Sequence, residues 1–146
     1  MYADYLFYTD EFFGVAISYE DFPRLASRAS DFLDYYTRGK AAKVPETDTA
    51  TKLALAKACC AVAEAIQDDD RNKALAAQIS AAALASGSGE IKSETVGSHS
   101  VSYATSADYS RGASGAARER DLRAAYAEIA SVYLVNTGLL YRGGCC

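Results

Sequence analysis

Few side chains in this sequence stand at spacings that catalysis or metal binding requires. There is one histidine, His99. It adjoins a turn signal, Gly97-Ser98, rather than rigid elements that could hold it against a nucleophile. The four cysteines form two adjacent pairs, Cys59-Cys60 and Cys145-Cys146. Neighbouring residues on a helix point about 100° apart, so such a pair is poorly placed to chelate one metal ion. The C-x-x-C spacing of zinc and redox sites is absent. Cys59 and Cys60 read as small buried hydrophobes. The second pair follows Gly143-Gly144 and reads as exposed. The acidic run Asp68-Asp69-Asp70 lacks the D-x-D-x-D-G pattern of a calcium loop. Asp31 and Asp34 share one helix surface, as solvated carboxylates commonly do. There is no G-x-S-x-G elbow, P-loop, G-x-G-x-x-G or H-E-x-x-H. The sequence therefore predicts a non-enzyme with no cofactor and no metal site.

The bulk composition predicts one domain spanning residues 1–146. A chain of this length buries a core without disulfide or metal staples. Half of it is hydrophobic, with eleven Tyr, five Phe and no Trp. Much of that half is alanine, which favours helix and buries little area. Fifteen basic against nineteen acidic residues give a net charge of −4, which argues against a duplex-DNA binder with a clustered basic face. A mildly acidic wall would instead let DNA pass without sticking. The N-terminal stretch MYADYLFYTDEFFG has no basic n-region. No apolar run approaches the roughly 20 residues that span a bilayer. These features predict synthesis in the cytoplasm and no membrane association.

Helical periodicity organises most of the chain. The aromatic start, with Tyr2, Tyr5, Phe7, Tyr8, Phe12 and Phe13, ends at Gly14, and two readings are open for it: an arm on its own core, or an arm docked on a neighbouring subunit. Ser18, with Asp21 three residues later, makes a weakened capping box. Phe22, Leu25, Ala26, Ala29, Phe32, Leu33 and Tyr36 follow at helical spacing, and Gly39 can close that helix, placing it at about Tyr19–Arg38. Thr47, Asp48 and Thr49 offer caps for a second helix, about Ala50–Asp69, where Leu53, Leu55, Ala56, Cys59, Ala63 and Ile66 cover most of the circumference. Such a helix is central. The three aspartates suit a helix start better than a helix end, so a junction is expected there, with a further alanine-rich helix from Arg71 to the Ser86-Gly87-Ser88-Gly89 break. The last helix is expected at about Gly115–Asn136, with Ser114 as cap, an apolar stripe of Leu122, Tyr126, Ile129, Val132 and Tyr133, and Gly138 as terminator.

One stretch does not read as helix. EIKSETV and HSVSYA are short β-compatible runs flanking Gly97-Ser98, a pair that suits a type II′ hairpin turn. Neither face is strongly apolar. A two-stranded hairpin is marginal in water, so it needs another part of the chain or another chain, and its edge could accept a strand.

The order of these segments carries a resemblance. A tyrosine-rich start leads through GVAIS to EDFPRLASRASDFLDYYT. A hydrophobic helix, IKSETVGSHSVSY, an arginine-containing linker and a final helix with LVNTGLLYRG follow. The whole resembles the head–tail connector (adaptor, or head-completion) proteins of tailed bacteriophages, most specifically over Phe22–Thr37 and Ile91–Tyr103. The alanine-rich Asp68–Gly89 region and the Cys145-Cys146 pair depart from that pattern.

The resemblance implies a mainly α fold: a small bundle of about four helices with an inserted β-hairpin loop at about 90–104 and an extended C-terminal tail at about 137–146. It implies a ring under the portal protein, a dodecamer, that extends the DNA channel and meets a downstream neck, stopper or tail protein, with DNA passing without sequence-specific binding. The protein would reside in the virion neck. Thr137, Gly138, Leu139, Leu140, Tyr141 and Arg142 would form the portal-binding tail. Glu90, Lys92, Glu94, Gly97, Ser98, His99 and Tyr103 would face the lumen or the next neck protein. Tyr2, Tyr5, Phe7 and Tyr8 would form an inter-subunit arm, a use that suits the head-to-tail interfaces of a ring. The alternatives are another phage neck protein, such as a stopper or tail terminator, and an unrelated helical binding module.

Overall fold

The computed structural model describes residues 1–85, 94–96, 99–101 and 115–141, with backbone only at 80, 82–85, 94–96, 99–101 and 115–117. The described chain is mainly helical. Its contacts divide it into two compact units, Met1–Asp68 with Arg123–Cys146, and Asp69–Leu122.

The first unit holds the core. Helix α2 (Phe22–Tyr36) buries Phe22, Leu25, Ala26, Ala29 and Leu33 almost completely, the stripe its sequence spacing predicts. The helix is entered through Ser18, whose Oγ accepts from the Asp21 N–H (3.3 Å) and donates to the Asp21 carboxylate (3.0 Å). Phe32 and Tyr36 stack on one side, at 5.9 Å, and Tyr126 meets Phe32 edge-on at 5.6 Å. A short 3-10 turn, Ala41–Lys43, follows.

Helix α3 (Thr49–Ala85) is capped by Asp48, whose Oδ1 accepts from the Thr51 N–H at 3.1 Å. Hydrogen bonding from the Thr51 side chain, and then from its N–H, holds the Asp48 carboxyl below its usual range. Leu55, Ala58, Cys59, Cys60, Val62, Ala63 and Ile66 are buried, so this part of α3 is enclosed on most sides, as its sequence suggests. Leu53 departs from the expectation and stays 42% exposed. The junction expected at Asp68–Asp70 does not exist: α3 runs through it without a break. The penalty on carboxylates applies at a helix end. Here the alanine-rich sequence continues, and Asp69 pairs with Lys73 one turn on.

In the second unit, three residues on each side of positions 97–98 pair antiparallel: Glu94 with Val101, Thr95 with Ser100, Val96 with His99. The turn between them and the rest of the expected 90–104 hairpin lie outside the described residues.

Helix α4 (Gly115–Leu134) buries Ala130 and Leu134, with Tyr126, Ile129 and Tyr133 packed against the core. Val132, expected on that stripe, is 70% exposed. A 3-10 turn over Val135–Thr137 ends at Gly138, which takes the left-handed conformation (φ +73°). Beyond it the expected extended tail is not seen over Leu139–Tyr141. Leu139 and Leu140 pack against the core, and Lys40 Nζ donates to the Tyr141 carbonyl. Two adjacent leucines next to an apolar core gain more by covering it than by extending into water.

The N-terminus also folds onto its own unit. Helix α1 (Tyr5–Asp10) is capped by Asp4, which accepts from the Phe7 N–H. Tyr8 is fully buried and its ring packs 5.0 Å from Phe22 and 5.9 Å from Phe12. Its hydroxyl donates to Glu64 Oε1 (2.7 Å) and accepts from the N–H groups of Ala16 (2.9 Å) and Ile17 (3.1 Å). Burial, and then the Glu64 carboxylate, push this phenol up to about 12. Gly14 lies against the ring, where a Cβ would sit 2.0 Å from Tyr8 Cε2.

Two predictions follow from this anchor. Gly14→Ala should lower the denaturant midpoint by the equivalent of about 1–3 kcal/mol, because overpacking a fixed ring has no cheap relief; an unchanged midpoint would mean that Tyr8 moves freely. The second concerns pH. In the unfolded chain Tyr8 ionises near 10. Its stabilising effect should therefore be complete below about pH 10 and fade as pH rises through about 12. Unfolding titrations across that window should show a fall that Tyr8→Phe makes shallower.

Candidate functional site

No enclosed reactive centre emerges among the described residues. Among the described residues no three His, Cys, Asp or Glu side chains gather into a metal site. The features that remain are surfaces at the two ends of α2, both within the first unit.

At the N-terminal end of α2 lies an apolar hollow of about 450 Å³, lined among others by Met1, Tyr5, Leu6, Tyr19 and Pro23, with Asp4 and Glu20 at its edge. Sequence geometry explains it. Helix α1 is too short to bury more than one face, and Tyr8 takes the inward position. Leu6, two residues away, is turned outward and remains 70% exposed. Tyr19 crosses Tyr5 edge-on at 5.2 Å yet stays 71% exposed. Asp4 is engaged in capping α1. Glu20 is exposed.

At the C-terminal end of α2 the chain closes the helix in an unusual way. The Gly39 N–H donates to the Asp34 carbonyl (2.7 Å) and the Arg38 N–H to the Tyr35 carbonyl (3.2 Å), the 6→1 and 5→2 bonds of a Schellman motif. The left-handed position that such a motif normally gives to glycine is occupied by Arg38, at φ +55°. A side chain there costs about 1 kcal/mol or more. Arg38 and Lys40 line a pocket of about 190 Å³ with Tyr36, Leu139, Leu140 and Tyr141. Tyr35 and Tyr141 flank this end of the helix at 68% and 71% exposure, and the Arg123 guanidinium lies 5.9 Å over the Tyr35 ring.

The residues singled out by sequence fall in different places. Of the proposed inter-subunit arm, Tyr8 is core and unavailable to a neighbour. Tyr2 is held by its hydroxyl to Asp34 and by its N–H to Ser30 Oγ (3.1 Å). Tyr5 and Phe7 pack against the core. Within one chain the arm therefore packs on its own unit, with Tyr2, Tyr5 and Phe7 half-buried. Of the tail, Thr137 Oγ1 donates to the Leu134 carbonyl (2.7 Å), Leu139 and Leu140 are half-buried, and Tyr141 is open. Arg142 lies outside the described residues. So do Glu90, Lys92, Gly97, Ser98 and Tyr103, while Glu94 and His99 are described in backbone only. Sequence reading missed Leu6, Tyr19 and Arg38. The signal for Arg38 was present: Gly39 stands one residue too late to be the glycine of the helix-closing motif.

Cys59 and Cys60 are buried and free. Cys59 Sγ donates to the Ala26 carbonyl at 3.5 Å. Burial pushes the Cys59 thiol up, and burial followed by its neighbour pushes Cys60 up to about 12. Both stay as unreactive thiols at neutral pH.

No known protein family, curated protein or solved structure matches the chain. No described helix is long and apolar enough to cross a membrane.

In a variant carrying Cys145→Ser and Cys146→Ser, Cys59 and Cys60 should resist Ellman's reagent in buffer and react only in denaturant. Rapid reaction in buffer would show that the core around α3 opens readily.

Proposed function

We propose that this chain is a structural virion protein of a tailed bacteriophage: a ring-forming head–tail connector that docks under the portal protein, extends the DNA channel and joins the capsid to the neck or tail. The sequence resemblance over Phe22–Thr37 and Ile91–Tyr103 motivates the reading. The structural observation that supports it is the amount of large apolar surface left uncovered on a small folded unit. Leu6, Phe13, Val15, Tyr19, Tyr35, Val132, Val135 and Tyr141 are all at least 65% exposed. Scattered exposed apolar residues are ordinary, but groups of them mark surfaces that another protein covers.

In this proposal the Glu90–Tyr103 hairpin faces the lumen or the next neck protein, and DNA passes a wall that does not bind it. Within Thr137–Arg142, Leu139 and Leu140 are already engaged with the core, so Arg142 is the contact offered to the portal. Stoppers and tail terminators, the nearest alternative, lean towards β-rich folds, and a mainly helical chain suits them less well.

The test is attachment to DNA-filled, portal-bearing heads of a phage whose own connector is missing, read by co-sedimentation and by restored tail joining. The full chain should attach and a chain ending at Tyr141 should fold but not attach. A chain ending at Gly138 should also be less stable, since it loses Leu139 and Leu140 from the core. Failure of the full chain to attach to any portal-bearing head would overturn the reading.

A further inference from the structure

The two surfaces at the ends of α2 are complementary. One is an apolar hollow with a free carboxylate at its edge. The other carries two exposed tyrosines and a guanidinium. Neither Glu20 nor Arg38 has an ion-pair partner among the described residues, and both are exposed. They lie beyond opposite ends of a 15-residue helix, which is about 22 Å long at 1.5 Å per residue. A single chain therefore cannot bring its own Glu20 to its own Arg38.

We infer that the partner of each surface is a second copy of this chain, joined head to tail: the Arg38–Tyr141 end of α2 on one copy seats on the Glu20–Tyr19–Leu6 hollow of the next. The choice of a second copy deepens the ring reading and rests on it for its biological setting. Four observations carry the contact. The charges are opposite in sign, which sets partner choice and register. The hollow, at about 450 Å³, is large enough to admit a tyrosine ring, and Tyr141 is offered beside Arg38. Arg38 occupies a backbone position that glycine would fill without strain, so its side chain is carried at a local backbone cost. Finally, the contact runs along the axis of one helix. Copies stacked this way place the C-terminal end of one α2 at the N-terminal end of the next, so the two helix dipoles align head to tail. A contact between two different patches is heterologous: it repeats, closing into a ring if the rotation per copy permits and growing into a filament if not.

The experiment is a charge swap read by sedimentation velocity and native mass spectrometry under reducing conditions. Glu20→Arg and Arg38→Glu should each weaken self-association by at least about tenfold, which corresponds to about 1.4 kcal/mol. The double variant, with the pair reversed, should regain most of the loss. Arg38→Gly, which suits the local backbone, should hold or raise the unfolding midpoint and still weaken association. Circular dichroism confirms that each variant is folded. Self-association unchanged in both single variants overturns the inference, as does a wild-type chain that stays monomeric up to concentrations on the order of 1 mM. Attachment to portal-bearing heads is scored separately. Attachment with insensitive charge variants leaves the connector reading standing and removes this contact; charge-sensitive self-association without attachment does the reverse.

Discussion

The fold of the first unit turns on one phenol. Tyr8 comes from a six-residue helix that could not persist alone, since so short a helix makes too few bonds to offset its nucleation cost. Its hydroxyl joins three parts of the chain: its own helix, the Ala16–Ile17 link and Glu64 on α3. Ile17 is buried and Glu64 half-buried, so these polar groups would otherwise lose water without compensation. The ring, meanwhile, fills the space between Phe12, Phe22 and Gly14. The aromatic N-terminus is therefore a component of the core. The chain uses a hydrogen-bond network to fix the direction of a segment that apolar packing alone would leave loosely placed.

Small side chains make the rest of this arrangement possible. Ala26, Ala29, Ala58, Cys59 and Ala63 are all buried, and small residues let helix backbones approach closely. Ser30 extends this economy. Its hydroxyl donates to the Ala26 carbonyl (2.7 Å), accepts from the Tyr2 N–H and lies 3.6 Å from Cys59 Sγ. A polar group in an apolar seam is thus fully used. Among the described residues no buried side-chain nitrogen or oxygen lacks a partner.

Much of α2, the first half of α3 and the Gly138 stop could be read directly, because each depends on local spacing or on a local conformational rule. Phe22, Leu25, Ala29 and Leu33 declare one face; Asp48 declares a cap. The misreadings share a different cause. Three aspartates in a row suggest a helix end only if termination is assumed, and an alanine-rich sequence gives α3 no reason to stop. Leu139 and Leu140 look like contacts for a partner because sequence cannot show that the core has room for them. Tyr8 looks interchangeable with Tyr2 and Tyr5 until its hydroxyl meets Glu64, 56 residues away. The surfaces at the ends of α2 were the least legible. Leu6 and Tyr19 are exposed only because neighbours occupy the buried positions, and Arg38 matters through a backbone torsion.

The first unit is discontinuous: Met1–Asp68 is completed by residues from Arg123 onward, after the 54 residues of Asp69–Leu122. During synthesis at about 5–20 residues per second, this delays core closure by roughly 3–10 s after Asp68 is made. Throughout that interval Phe32 lacks Tyr126, and the seam that Ala130 and Leu134 will cover faces solvent. Glu64 is already available to Tyr8 by that time, so the N-terminal aromatics can be put away first. Every partner of the Tyr8 hydroxyl precedes Asp68 in the chain, so this network needs nothing from α4.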